Sequence, residues 1–587
     1  MRARAMRVLA PILLSALLAA CGGGGGSGGG GDQVSATGGA GATAQPAAAG
    51  APPADAPATK GAAARFLTQA SFGPSAAEID RLSTLGYTRW IEAQFALPPA
   101  SPHLDYFAAR TAELDENEWP QEAWIYESFW KSALSGEDQL RQRVAYALSQ
   151  IFVVSLADSA VKDRPRGMAG YYDLLGRNAF GSFRQLLEEV SLNPMMGLYL
   201  THLRNQKADP AVGRVPDENY AREIMQLFTI GLHQLNPDGT VKLDARNEPI
   251  DTYRIEDVMG LARVFTGFSW GGPDTGNARF FGTIATSERD ILPMRGYPQF
   301  HETGPKSFLG TTVRASTPEA SLKAALDTLV AHPNVGPFIG RQLIQKLVTS
   351  NPSPAYVARV GAAFDNNGQG VRGDLKAVVR AILLDPEARD ENLAATTTAG
   401  KLREPVLRVT AWLRAFDVKS LSGRFLVPTT DDPVNSIGQT PLRAPSVFNF
   451  FRPGYVPPNT TIAQAKLVAP EMQTTHEISV AGWLNTMRNA VPQGFGNNPP
   501  NANKRDLQPD YTDELALADN AAALVDRVAL LLTADRMPPA MRAQMVTALN
   551  SINVAITNPT SLENARRNRV HLAVFLTLAS PEFIVQK

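Results

Sequence analysis

From Gly61 to Lys587 the dominant pattern along the chain is a helical repeat of apolar positions. Residues at three- and four-position spacing recur in 62–70, 75–85, 121–134, 137–154, 182–190, 217–230, 255–265, 317–331, 336–349, 354–365, 373–384, 401–416, 512–533, 536–551 and 562–579. That spacing gives helices that bury one stripe and wet the other. Gly86, Gly231, Gly267 and Gly340 stand where such helices end or bend, and Pro74, Pro194, Pro216, Pro333 and Pro405 interrupt or start them. The clearest period of two lies in "GTVKLDARNEPIDTY", 239–253, where Val241 and Leu243 alternate with polar residues and Ile250–Tyr253 is expected to pair back as a hairpin. Stretches 270–311 and 417–462, rich in Pro, Gly, Asn and aromatic residues, predict long irregular loops of the kind that carry function. The expected fold class is mainly α: a large multi-helix body with one small β-hairpin and long irregular loops.

The first 60 residues obey different rules. Arg2, Arg4 and Arg7 precede an apolar run from Val8 to Leu18, too short for the roughly 20 residues of a spanning helix, and Leu18-Ala19-Ala20-Cys21 follows. Residues 1–20 read as a secretory signal peptide. "LAAC" resembles the lipobox of bacterial lipoproteins, so Cys21 is the expected lipidation site and the lipid bilayer an expected partner. Acyl chains contribute about 0.8 kcal/mol per buried methylene, and two or three of them hold a protein to a membrane with no spanning segment. Gly22 in place of an Asp after the cysteine fits an outer-membrane or periplasmic-face location in the cell envelope. Residues 22–60 hold no aromatic residue and no Leu or Ile, and residues 21–60 are expected to be a disordered Gly/Ala/Pro tether with a reach of roughly 35 Å. Beyond it, the pattern divides into a main helical domain at 61–489, a linker or surface loop at 490–511, and C-terminal helices at 512–587 that pack on the main domain.

Composition narrows the chemistry. Cys21 is the only cysteine. Once it is lipidated there is no thiol left for a disulfide, Cys-ligated zinc, c-type haem attachment, an iron–sulfur cluster or a thiol nucleophile. Basic and acidic residues number 56 each, and removal of Arg2, Arg4 and Arg7 with the leader makes the rest slightly negative. That balance, with no Lys/Arg runs, argues against nucleic acid as a partner.

Seven segments converge on one family: "ARFLTQASFGPS" near 64, "NPMMGLYL" at 193–200, "ENYAREIMQLFTIGL" at 218–232, "IEDVMGLARVFTGFSW" at 255–270, "FHETGPKSFLG" at 300–310, "DLKAVVRAILLDPEAR" at 374–389 and the final "LASPEFIVQK". In order and spacing they resemble the family catalogued as domain of unknown function 1800. The resemblance implies an exported, mainly helical bacterial protein and supplies no mechanism. It also implies a Trp and His pair on the helix that here reads "RQRVAYALSQIFVVS", 141–155; Ala147 to Val153 contain neither, so no role of that histidine transfers.

Candidate chemistry gathers on "DENYAREIMQLFTIGLH", 217–233, whose wheel separates Tyr220, Ile224, Leu227 and Phe228 from Asn219, Arg222, Glu223 and Gln226. Asp217 and Glu218 suit a helix N-terminus, and Glu218 with Arg222 and Asn219 with Glu223 are four apart. Capping plus a surface ion pair accounts for these residues as well as a cleft does. Asp257 sits in the first turn of the next helix; His301, Glu302 and Lys306 lie in a Gly/Pro loop. Glu218, Glu223, Asp257 and His301 are therefore the expected catalytic set, with Asn219, Arg222, Lys306 and Arg452 binding substrate. A divalent metal is the one cofactor these residue types suggest, and no HExxH or DxD spacing supports it. Arg452 belongs to "APSVFNFFRPGYVPP", 444–458, whose Phe448, Phe450, Phe451 and Tyr455 either wall a ligand groove or pin a loop to the helices. His202 and His233 follow helix ends, where an imidazole binds free carbonyls; "GFSWG" at 267–271 lacks the strand-before-helix setting of a nucleophile elbow. Two functions fit: an envelope enzyme built on that set, or a tethered protein that assembles with or binds another exported partner.

Overall fold

The computed structural model describes residues 53–100, 102–115 and 118–587. The signal peptide, Cys21 and the tether up to residue 52 lie outside them. Among the described residues are twenty-six α-helices and four two-stranded antiparallel ladders, a mainly α architecture. Pro52–Lys587 forms one compact unit, and its order begins before Gly61. Asp55 accepts the Thr88 amide (2.7 Å), and the Thr59 hydroxyl caps the Lys60–Ala70 helix through Ala62 N (3.0 Å).

At the centre stand helices with almost no wet face: Ala123–Ser135, Gln139–Ser149, Val335–Leu347 and Pro405–Ala415 bury nearly every residue, polar ones included. A helix buried all round belongs to a core. Trp90, Trp124, Trp130 and Trp412 are all fully enclosed. Because Gln, Arg, Lys and Glu side chains on these helices are also inside, each needs a polar partner there. That requirement creates the internal network described below.

Tyr87–Ala96, His103–Thr111, Pro165–Asn178 and Glu477–Gln493 are helices outside the expected segments. Three glycines weaken the Pro165–Asn178 pattern, yet Met168, Tyr171, Tyr172, Leu174 and Leu175 are buried there, and packing overrides propensity. The 239–253 stretch makes only isolated bridges, Leu235 with Val241, Leu243 with Pro249 and His233 with Asp251. Three extended segments meet there in a junction: Lys242 N donates to Gln234 O, Ile250 N to Lys242 O and Gln234 N to Ile250 O. The 270–311 loop holds order of its own. Strands Lys306–Phe308 and Thr311–Val313 pair around Leu309 and Gly310, both with positive φ, and lie on the Ile255–Val264 helix at Gly260, where a Cβ would fall 1.7 Å from Ser307 O.

Residues 490–511, expected as a linker or surface loop, carry the buried Phe495, Asp506 and Leu507. Leu507–Gln508 pairs with Lys419–Ser420, and Asp506 accepts from Ser420 Oγ, Ser422 N and Leu426 N. Further on, the Ala521–Thr533 and Pro559–Leu578 helices pack together and the former also meets Lys60–Ala70. Strand Val585–Gln586 pairs with Lys401–Leu402 at the entry to the Pro405–Ala415 helix.

Candidate functional site

A cavity of about 470 Å³ opens where five segments converge. The Gln139–Ser149 helix delivers Gln150 and Ile151 at its end, and the Asn219–Gln226 helix delivers Gln226 and Leu227. The three-way junction adds Leu232, His233, Leu235 and Val241, and the loop 447–454 adds Val447, Phe448, Phe451 and Arg452. From the Val335–Leu347 helix come Phe338, Arg341, Gln342 and Gln345, whose spacing of three, four and seven places them on one face. The walls are mainly apolar, and four amides line them: Gln150, Gln226, Gln342 and Gln345.

Hydrogen bonding settles which way two of those amides point. Gln150 Nε2 donates to Glu404 Oε2 (2.7 Å); a carboxylate only accepts, so the oxygen end of the amide is turned the other way. Gln345 Nε2 donates to the carbonyls of Ser350 (2.9 Å) and Pro453 (3.2 Å), with the same result. Among the described residues, Gln150 Oε1 and Gln345 Oε1 are buried acceptors without a donor, and Gln342 Nε2 is a buried donor without an acceptor. Leaving such a group unpaired costs about 1–3 kcal/mol, which a ligand with matching groups recovers. Two cations complete the site. Arg341 is exposed at the rim, and the Arg452 guanidinium stacks 4.6 Å from the Phe448 ring centroid.

Behind the amides lies an ionic network. Glu404, fully buried, accepts from Tyr146 (3.0 Å), Gln150 (2.7 Å) and Gln439 (2.6 Å) at one oxygen. Lys346 Nζ sits 4.0 Å from the centroid of Phe451, the ring that also walls the cavity, and burial pushes its pKa down to about 8 against the raising influence of Glu404 and Glu471. Lys401 and Glu471 form a fully buried pair at 2.9 Å. Arg143 Nη2 donates to Lys346 O (2.6 Å).

The residues expected to act as acid, base or ligand take other positions. Glu218 and Arg222 form a half-exposed pair at 3.4 Å, and Asn219 is exposed, its amide within 3.4 Å of Thr201 Oγ1. Glu223 is buried, with Oε2 unpaired and its pKa raised by desolvation; its charge is felt by Tyr199 and Tyr253. Asp257 binds two backbone amides, Arg254 N (2.8 Å) and Leu309 N (2.7 Å), and so pins the 306–313 hairpin to its own helix. His301 is fully enclosed: Nδ1 donates to Thr266 O (2.8 Å), and Nε2 lies 3.0 Å from Ser321 Oγ. Burial lowers its pKa and keeps it neutral. Lys306 Nζ donates to the Gly304 and Ala315 carbonyls (3.2 and 2.9 Å). None of Glu218, Glu223, Asp257 and His301 lines the cavity, whereas Arg452 does. Among the described residues no group of three or more His, Asp and Glu is placed to hold a metal.

Gln150, Gln342 and Gln345 escape a search for titratable residues. Their one signal is a run of amides inside segments that otherwise read as buried helix. Ser269 of "GFSWG" is buried with its hydroxyl on Phe280 O (2.6 Å).

The chain belongs to the family described as protein of unknown function (DUF1800), whose pattern matches residues 65–585. No curated protein and no solved structure matches it.

Proposed function

We propose that this DUF1800 member is an exported, lipid-anchored binding protein that takes a small amphiphile into the cavity between Phe338 and Phe451. The observation that supports this reading is the fixed orientation of Gln150 and Gln345: two buried acceptors without donors at an apolar wall call for a ligand with N–H or O–H groups. Arg341 and Arg452 add a preference for a negative charge on the same ligand. The anchor rests on Cys21 and its leader, which would hold the body at the envelope; among the described residues no helix is long and apolar enough to cross a membrane. N-acyl amino acids combine an apolar chain, an amide N–H and a carboxylate, and are the natural calorimetric probes. Saturable binding that weakens at least tenfold in the Gln150→Met/Gln345→Met variant is the expected result. No binding by any chain length, or equal binding by the variant, ends this reading.

A second reading, an envelope enzyme, draws on His233, which lines the same cavity with Nδ1 3.4 Å from Asp251 Oδ1. No hydrogen bond fixes the ring among the described residues, so its Nδ1 is open to exchange a proton with a bound molecule, the role of a general base. Under it, His233→Asn keeps ligand binding and loses turnover of the bound molecule, read by mass spectrometry. A bound probe that the unmodified protein leaves chemically unchanged removes the second reading and spares the first.

A further inference from the structure

We infer that a cleft ringed by Arg65, Arg403, Arg536 and Lys587 is a separate site for a polyol phosphate or a related hydroxylated organic anion. It shares no lining residue with the amide-lined cavity and does not depend on the function proposed for it.

Arg403 carries the inference. It follows strand Lys401–Leu402, its own amide donates to Ile584 O (2.8 Å), and the C-terminal strand thereby fixes where its side chain starts. The side chain is 4% exposed, yet Nε and Nη1 have no hydrogen-bond partner among the described residues. Its guanidinium lies 4.6 Å from the Phe583 ring centroid, and the Arg408 charge that acts on it has the same sign. A buried cation with two of its three nitrogens unpaired and no ion pair among the described residues is a costly arrangement for a core, and an anion entering the cleft corrects it.

The rest of the lining is already arranged to receive one. Arg65 Nη1 donates to Ala388 O (2.9 Å), Arg536 Nη2 to Ala394 O (3.2 Å), and Lys587 Nζ to the carbonyls of Thr396 (2.7 Å) and Ala399 (2.9 Å). These backbone contacts position the cations without neutralising them; Glu391 pairs with both Arg65 and Arg536 and offsets only part of the excess. Glu582 is the one carboxylate side chain on the lining, and its Oε2 is buried with no donor among the described residues. The ligand therefore needs a negative group for Arg403 and a hydroxyl or ammonium for Glu582. At about 510 Å³ the cleft has room for an organic molecule and not only a bare ion. A glycerol phosphate unit meets both demands, whether as a free ester or as the headgroup of a phospholipid.

Thermal unfolding and calorimetry of the full mature chain, with sodium chloride holding ionic strength constant, test this with glycerol 3-phosphate and, in parallel, with phosphatidylcholine vesicles containing phosphatidylglycerol. The expected result is saturable binding of one or the other that stabilises the protein and weakens at least tenfold in Arg403→Met. Without ligand, that variant is expected to melt no lower than the parent, since it removes an unpaired buried charge. Binding of the soluble ester supports a free metabolite; binding of the vesicles alone, lost in the same variant, supports a headgroup. Should Arg403→Met not fold, Lys587→Gln is expected to weaken binding several-fold. The inference is overturned if neither probe binds, or if the variants bind as tightly as the parent.

Discussion

Gln150 gives its amide nitrogen to the buried carboxylate of Glu404 across 2.7 Å, so the ion inside the protein decides which end of the amide the cavity sees. Gln150→Met keeps side-chain length and removes the acceptor. A ligand donor that met Gln150 Oε1 loses about 1–1.5 kcal/mol, roughly tenfold in affinity. Global stability should fall by less than Gln439→Met costs, because Gln439 also accepts the Val406 amide (3.0 Å) while it donates to Glu404, whereas Gln150 Oε1 serves no donor among the described residues. Titration calorimetry and urea unfolding of the two variants side by side check the order.

His202 predicts an acid-sensitive fold. Its ring stacks on Tyr220 at 3.8 Å, Nε2 donates to Ser191 O (2.8 Å), and burial lowers its pKa from 6.5 to about 4. Between those values the unfolded chain binds a proton that the folded protein refuses, so stability declines as pH falls from 6.5 towards 4 and levels off below. The shift corresponds to on the order of 3 kcal/mol. His202→Phe keeps the stack and should flatten this slope in denaturant titrations across the window. An unchanged slope would show that another group supplies it.

Glu223 predicts the opposite sign. Burial raises its carboxyl above the ordinary glutamate value of 4.5, so the folded state holds a proton that the unfolded chain has released. Stability contributed by this group is greatest below pH 4.5 and is lost as pH rises through the folded pKa. Glu223→Gln is expected to remove the decline and to be the more stable protein at neutral pH. A Gln variant that is less stable at pH 7 would mean that the charge itself is needed where Tyr199 and Tyr253 approach it.

Lys401 and Glu471, 2.9 Å apart and 0% and 1% exposed, are a pair whose members cannot be removed singly. Lys401 Nζ also donates to Lys346 O (2.8 Å). Glu471→Leu leaves a cation uncompensated in the interior and is expected to cost about 3–5 kcal/mol, while Lys401→Met/Glu471→Leu restores most of the loss. Urea unfolding of the two proteins measures the difference.

The helical character of the body is legible in the chain because periodicity is local: a stripe at 336–349 is visible whatever packs on it. That same stripe places Phe338, Arg341, Gln342 and Gln345 on one face, and the aromatic run at 444–458 was readable as a possible groove wall from composition alone. Partner choice is not local. The spacing of Glu218, Asn219, Arg222 and Glu223 is the same for a wetted face as for a cleft, and Asp257, His301 and Lys306 are residue types that serve chemistry and structure equally. Only their neighbours, 2 to 52 positions away along the chain, show that Asp257 holds a hairpin and that His301 and Lys306 satisfy carbonyls. Helix periods, caps and the leader with its lone cysteine belong to the sequence by itself, since each depends on residues a few positions apart. The amide-lined cavity and the unpaired Arg403 belong to the tertiary structure, because whether a buried polar atom has a partner depends on which distant segments the folded chain brings within 3 Å of it.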